Sequence, residues 1–536
     1  MRHLFIRGSY KPLGVSGETM ISAMLSLQPE IYGSIADDEV VELDGLLYVF
    51  QRLPKGIEQC RYIKLISREG FENSHFPIII PSRRKRNSYR IDDEQMFIEM
   101  TRGGSDIYDI LTHLTFMYIE SEKIRKNSLD LKNRPGRAWL ELETIVQAIE
   151  KNEEFPKEVG LTYLSSIIGR TYDETQKAAD KFEKSSKDVH SLFEVVYWLG
   201  KLSMDEFVNQ NDREISFSPL LRTKLGHHTY GERWANRIKQ SIFDLGLIDK
   251  PIHIISANLH SVMNALFAQR VLGEESGSQN IEEIAEHLSK DSGELSRSKV
   301  VDYALAHGMI ELSDTSGTNI GVQIFNTAMF NSDDIPKYLG FTSNKDEVII
   351  VMDYAFGEQA YETMDELLKP YDGVDKKISL NVKSINIMGK AGILEGGKGD
   401  IMIPTAHIFE GSADNYPFHN ELMPSHFNNC GLKITYGNMI TVLGTSLQNK
   451  DVLNYFLKSS WKAIGLEMEG AHYQKAIQVA SKIRHSISPD VKLRYAYYAS
   501  DNPLETGSTL ASGSLGMDGV KPTYLITIEM LKGVFS

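Results

Sequence analysis

From about residue 245 the chain alternates short apolar runs with helical stretches, and this rhythm constrains its fold more than any other feature. "PIHIISAN" precedes "LHSVMNALFAQRVL", and "EVIIVMDYAFG" precedes "EQAYETMDELLKPY". "SINIMGKAGIL", "GDIMIPTAHIF", "KITYGNMITVLGTS" and "LRYAYYASDNPL" complete the set. The pattern predicts an α/β domain whose mainly parallel central β-sheet is flanked by helices. Ligands of such sheets bind beyond the carboxyl ends of the strands. Polar and glycine residues collect at five of those ends here: 256–258, 353–357, 389–392, 467–470 and 500–502.

The residues before this region read differently. "DIYDILTHLTFMYIESEKIRKN", "AWLELETIVQAIEKN" and "DETQKAADKFEKSSKDVHSLFEVVYWLGKL" place apolar residues at three- and four-residue steps, which predicts a mostly α-helical domain. "FPIIIPS" at 76–82 is a short run bounded by prolines, a strand or a turn. A charged stretch at 205–214 is the softest point in composition, and the change of texture puts the division at 1–244 and 245–536. The second part carries an insertion around 270–340. A chain of 536 residues exceeds what one core usually serves, so two domains are expected.

Composition removes several functional classes. The net charge of −14 argues against a general nucleic-acid or membrane-surface binder, which needs a basic face. Two cysteines, Cys60 and Cys430, exclude a disulfide framework and an all-cysteine zinc site. No stretch approaches the roughly 20 apolar residues of a membrane helix, and the first residues have no apolar core of the leader type. A cytoplasmic location is expected.

"AIGLEMEGAHYQKA" at 463–476 poses the sharpest chemical question. Glu467 and Glu469 stand one residue apart where an apolar strand passes into a helix, so on a strand they would project together. Burying two acids without partners is costly.

These residues carry a resemblance. "GLEMEGA" is similar to the Glu-Met-Glu signature of the nucleoside phosphorylase/nucleosidase superfamily, and "YASDNPL" resembles its Ser-Asp strand end. "INIMGKAGIL" followed by "GKGDIMIPTA" is similar to the family's glycine turn and the strand after it, and "IIVMDYAFGEQA" to the strand before that turn. The motifs occur in the family's order over residues 347–530, with a weaker likeness over 251–346. "ASDNPLETGSTLASG" resembles the AMP nucleosidase-like members most. Residues 1–244 lie outside the resemblance.

The resemblance implies N-glycosidic cleavage of purine nucleosides or nucleoside 5'-monophosphates. Such a reaction leaves positive charge on the sugar and negative charge on the base, so it needs a ribose-holding group and a proton donor. A carboxylate accepts hydrogen bonds from two neighbouring hydroxyls and favours a cationic sugar. By motif match that group is Glu469, with Met468 against the sugar face and Glu467 structural. Asp501 is the matching proton donor, because burial of a carboxyl favours its protonated form; Ser500 and Asn502 would orient it. Taken alone, "SDNP" is equally a turn.

The nucleophile is less legible. Relatives that use phosphate place arginines where this chain has Ser261 and Ile387, and neither can pair with phosphate. Small nucleosidases place a glutamate after the first strand, where "SANLHSVMN" has none. His260, Asp353 and Glu358 are candidates for orienting water. Ser256, Asn258, Gly357, Gly389 and Gly392 would line the pocket, and Tyr354, Phe356 and Tyr498 could stack on a base. Lys390, on the Gly-Lys-Ala-Gly turn, would suit a phosphate on the substrate or free in solution; a solvated loop lysine is the plain alternative.

The leading expectation is hydrolysis. Phosphorolysis and a sensor that binds a nucleoside or nucleotide without turnover are the alternatives. The chemistry calls for no metal or organic cofactor, and the superfamily resemblance implies a homo-oligomer. "SRRKRNSYR" at 82–90 reads as a solvated basic loop. Adjacent His227 and His228 lack metal-site spacing, and His113 reads as a packed core histidine. "GGKGD" at 396–400 is a turn without Walker spacing.

Overall fold

The computed structural model describes residues 8–12, 14–273, 280–341, 346–373, 376–412, 414–505 and 515–536. Part of the expected insertion around 270–340 (274–279) and of the "ETGSTLASG" tail (506–514) lie outside them. The chain divides into two units. One comprises Met1–Thr101, Asp106–His227 and Ser446–Asn449; the other comprises Arg102–Ser105, His228–Thr445 and Lys450–Ser536. The helix Thr229–Asp244 belongs to the second unit, although its periodicity groups it with the helices before it.

Helices predominate in the first unit. Arg137–Glu150, Lys157–Ile168, Tyr172–Lys184 and Leu192–Asn209 each bury one apolar face. Capping boxes start two of them: Thr171 with Glu174, and Ser191 with Glu194. The same unit also holds a six-stranded sheet that the helical periodicity conceals. Its strands are β1 (Ser9–Tyr10), β2 (Tyr62–Ile66), β3 (Ile78–Ile79), β4 (Ser88–Arg90), β5 (Gln95–Glu99) and β6 (Glu214–Phe217), in the order β1-β6-β2-β5-β4-β3. The proline-bounded "FPIIIPS" contributes β3, a two-residue edge strand.

The basic run at 82–90 is not simply a solvated loop. Arg86 is buried and pairs with Asp106 at 2.8 Å and Asp109 at 2.6 Å. Arg84 grips Asp109 with two bonds of 3.0 and 2.9 Å. Despite the cost of burying it, the neighbouring cations hold the Asp109 carboxyl well below its ordinary range. His113, also buried, lies 3.7 Å from Asp109, and burial holds its pKa down at about 3.

The second unit is built on β7 (Ile252–Ser256), β8 (Met309–Leu312), β9 (Val322–Asn326), β10 (Val348–Met352), β13 (Val382–Ile393), β14 (Ile401–Phe409), β15 (Asn415–Pro417), β16 (Ile434–Thr441), β17 (Ala463–Glu467) and β18 (Lys492–Asp501). The two short strands β11 (Tyr371–Asp372) and β12 (Lys377–Ile378) form a separate ladder. All ten residues of β7 and β10 are buried, as befits strands covered on both faces. The large sheet is mainly parallel, with antiparallel ladders at its margins and where it closes. β10, β7, β13 and β18 run parallel in sequence of pairing, as do β14, β16 and β17. Antiparallel ladders add β9, β8 and β15 at the margins and join β17 to β13 and β18 to β14. Strands β13, β17, β16, β14 and β18 therefore close into a ring. The twelve-residue length of β13 makes this closure possible. Its first half pairs with β7 and its last two residues with β17. Between β7 and β10 the chain forms the helices Ile281–Ser289 and Glu294–Ala306 and the hairpin β8–β9. Among the described residues, no helix is long and apolar enough to cross a membrane.

Candidate active site

The carboxyl ends of the parallel strands are tied to one another by hydrogen bonds and register. Gly392, near the end of β13, pairs with Leu466 of β17 on one side and with Asp501 of β18 on the other. Each neighbour therefore lies one strand spacing away, about 4.8 Å. The β10 end joins through Gly357, whose N–H donates to Glu469 Oε1 at 2.9 Å. The β7 end joins through Ser256, whose hydroxyl lies 3.1 Å from that of Tyr473 on the helix Gly470–Gln478. Five strands and one helix thus meet around Glu469 and Asp501.

Glu467 explains how the local backbone is held. Its side chain is buried and accepts from the hydroxyl of Thr441 at the end of β16, from the N–H of Glu469 at 2.5 Å and from the N–H of Gly470. Thr441 Oγ1 accepts in turn from Ala471 N–H at 2.9 Å. The first donors of the helix Gly470–Gln478, which have no partner inside the helix, are satisfied this way. Burial, and secondarily the charge of Glu469, raise the Glu467 pKa to about 8. Glu467 is thereby a bracket for Glu469, which sits half-buried at the helix N-cap.

Two glycines are dictated by close approach. Gly357 has φ +54°, and a Cβ there would lie 2.4 Å from Ser105 Oγ. A Cβ at Gly470 would lie 2.3 Å from the buried ring of His407. That ring meets the Tyr497 hydroxyl at 3.0 Å and stacks on Phe418; burial holds its pKa at about 3, so it is neutral at pH 7.

Asp501 is fully buried at the end of β18 and accepts the hydroxyl hydrogen bond of Ser500. Asn502 donates to Gly396 O at 3.0 Å and accepts from Leu504 N–H at 3.0 Å, which fixes the chain leaving the strand. The "GGKGD" segment assists. Asp400 accepts from Gly397 N–H at 2.8 Å, and its own carbonyl accepts from Ala499 N–H at 2.8 Å.

Of the residues singled out by sequence, Glu469, Met468, Gly357, Ser256, Gly392, Ser500, Asp501 and Asn502 fall at these joined ends. Met468 is buried, with its methyl 3.8 Å from the Cβ position of Gly357. Gly389 and Lys390 do not form a turn: both lie inside β13, whose irregularity falls later, between Ala391 and Gly392. Lys390 is exposed and pairs in register with Tyr498, past the last β7 partner, Ile387. Asn258 is a helix cap that accepts from His260 N–H at 2.9 Å. His260 and Glu358 are exposed, and the Glu358 N–H donates to Ser105 Oγ at 2.9 Å. Ser261 and Ile387 are both buried. Thr441 and Tyr473 escaped sequence reasoning. Thr441 ends an apolar run, so the strand-end criterion could have found it.

A family model described as "Family of unknown function (DUF6909)" matches residues 18–276 and 283–536. Among curated proteins, none matches the chain. Solved structures give distant likenesses. Futalosine hydrolase of Helicobacter pylori strain 26695 is 12% identical with a TM-score of 0.32, over 53% of this chain and 99% of that one. The 5'-methylthioadenosine/S-adenosyl homocysteine nucleosidase of Campylobacter jejuni is 11% identical with a TM-score of 0.30, over 53% and 97%. AMP nucleosidase from Bacteroides thetaiotaomicron VPI-5482 is 14% identical with a TM-score of 0.31, over 56% and 96%. Likeness at this level leaves the chemistry to this chain's own residues.

Proposed function

The chain belongs to a family of unknown function, DUF6909, and we propose that it hydrolyses the N-glycosidic bond of purine nucleosides or nucleoside 5'-monophosphates. One observation carries the reading: a half-buried carboxylate, Glu469, is aimed by a peptide N–H at strand ends that also present a buried aspartate, Asp501, across Gly392. Glu469 accepts hydrogen bonds from the ribose hydroxyls and stabilises the cationic sugar. Water adds its oxygen to the anomeric carbon as the bond to the base breaks. The bonding pair leaves with the base, and Asp501 gives a proton to the base nitrogen. The proton lost by water passes to a nearby acceptor, for which Asp353 and Glu358 at the β10 end are the carboxylate candidates.

The experiment is base release from a panel of nucleosides and nucleoside monophosphates, each with and without inorganic phosphate, resolved by chromatography. Release that does not depend on phosphate supports hydrolysis. Release only with phosphate makes the protein a phosphorylase, and binding without release makes it a sensor; either outcome overturns the proposal.

A further inference from the structure

The turn that follows β10 leads into the helix Gln359–Leu367, and the first N–H groups of a helix have no partner inside it. Side chains accept from three successive residues here. Phe356 N–H donates to Gln359 Oε1 at 3.0 Å, Gly357 N–H to Glu469 Oε1 at 2.9 Å and Glu358 N–H to Ser105 Oγ at 2.9 Å. Gln359 is 2% exposed, and the other end of its amide is also engaged: Nε2 donates to the carbonyl of Thr318 at 2.8 Å.

Thr318 belongs to the connection 313–321 between β8 and β9, inside the insertion. Asp314 braces that connection from within, accepting from the N–H groups of Ser316 and Asn319, each at 2.8 Å. Its last carbonyls are held by the rest of the unit. Trp234 Nε1 donates to Ile320 O at 3.1 Å, and Asp353 N–H to Gly321 O at 3.0 Å. Bonds therefore run without a break from the connection through Gln359 and the β10 turn to Glu469.

We propose that Gln359 is a positioning residue for Glu469 and carries the support of the β8–β9 connection to the N–H that aims this carboxylate. The inference rests on the nucleosidase reading and adds a residue to it. A buried amide bonded at both ends has one orientation, so Gln359 fixes the N–H of Phe356, the residue just before the Gly357 donor. Methionine at 359 keeps the length of the side chain and removes both bonds, which leaves the Phe356 N–H and the carbonyl of buried Thr318 without these partners. The turn then relaxes, and a carboxylate that must meet two ribose hydroxyls tolerates little displacement. Gln359 acts through Gly357 and touches no substrate.

The test uses the full chain with Gln359→Met, Asp314→Ala, Glu469→Gln and the double variant Gln359→Met/Glu469→Gln, compared at equal folded concentration as set by thermal melting. Base release is measured without added phosphate from adenosine, adenosine 5'-monophosphate and their 2'-deoxy counterparts. A 2'-deoxy sugar offers Glu469 one hydroxyl instead of two, so its cleavage depends less on the aim of the carboxylate. Gln359→Met is expected to lower kcat/KM about tenfold or more for the ribose substrates and less than about threefold for the deoxy ones. Asp314→Ala loosens the connection from a half-buried position and is expected to show the same bias at smaller size, which also covers a Gln359→Met chain that does not fold. On top of Glu469→Gln, Gln359→Met should cost less than about twofold, because the group it aims has gone. Equal losses on both sugars, a loss that adds in full to that of Glu469→Gln, or unchanged activity overturns the inference. If the wild type releases no base, the nucleosidase reading fails, and calorimetric binding of the same compounds decides Gln359 separately. A wild-type preference for ribose that Gln359→Met diminishes supports the positioning role; a preference it leaves unchanged, or none in the wild type, overturns it.

Discussion

Each unit holds a pair of acids withdrawn from solvent, Asp106 and Asp109 in one and Glu467 and Glu469 in the other, and the two pairs are stabilised by different means. In the first unit, Asp106 and Asp109 face guanidinium groups, and Arg84 and Arg86 hold them in ion pairs. In the second, Glu467 and Glu469 are held by peptide N–H groups and by the Thr441 hydroxyl. A carboxylate locked to arginines has its charge neutralised and its oxygens occupied. It organises a core and does little else. At the strand ends Glu469 takes a backbone donor instead, and on the proposed reading its carboxylate is what a cationic sugar would meet. Burial of acids is common to both places; on the proposed reading, the identity of the donor separates scaffold from chemistry.

The strongest way to break this contrast is to neutralise acids at the strand ends and in the arginine cluster. Asp501→Asn and Glu469→Gln are expected to lower kcat/KM for base release by about 10²–10⁴, with melting temperatures within a few degrees of wild type. A variant that loses its fold instead would move its residue to the scaffold class. Asp109→Asn is expected to cost about 3–5 kcal/mol of stability in denaturant titration, since it leaves buried arginines uncompensated. A cost below about 1 kcal/mol would mean that the cluster behaves like a surface ion pair. Thr441→Val removes a donor to Glu467 and the acceptor for Ala471 N–H. The expected loss is about 1–3 kcal/mol, read in the same titration.

Acidity sharpens the comparison because the two clusters respond to pH in opposite directions. Glu467 has a folded pKa raised to about 8 from the ordinary 4.5. Between those values the folded state binds the extra proton, so this contribution is fully present below pH 4.5 and is lost as pH rises through 8. His113 has a folded pKa lowered to about 3 from 6.5. Here the unfolded state binds the extra proton, and stability falls as pH drops from 6.5 toward 3. Melting temperature followed from pH 5 to 9 should decline less steeply in Glu467→Gln than in wild type; parallel curves would remove the account of Glu467. The smallest effect expected is that of Lys390→Met. It should raise KM for a nucleoside monophosphate modestly and leave that for the nucleoside unchanged, as steady-state kinetics would show.

The strand ends were legible because β7, β10, β14, β16, β17 and β18 are each a run of apolar residues bounded by polar ones. Local pattern suffices for such elements. It failed where pairing is non-local. Strands β1 to β6 are two to five residues long, and β2 lies beside β6, about 150 residues away in the chain, so neither carries a signal of its own. The basic run at 82–90 was opaque for the same reason: its partners, Asp106 and Asp109, lie on a later helix. Gly389–Gly392 shows a different limit. Two glycines three residues apart imply a turn, but Gly389 is needed because a Cβ would press on the Tyr497 ring at 2.8 Å, and the strand runs on. Glu469 and Asp501 were singled out by strand-end position and motif, and both fall at the joined strand ends. The packing of Ser105 on the β10 turn, some 250 residues away, has no local signature.

The most direct measurement is release of free base from a purine nucleoside and its 5'-monophosphate, without added phosphate, by wild type, Asp501→Asn and Glu469→Gln at equal folded concentration. The account predicts release by the wild type and its near-complete loss in both variants. Release that persists in both variants, or none from the wild type, would contradict it.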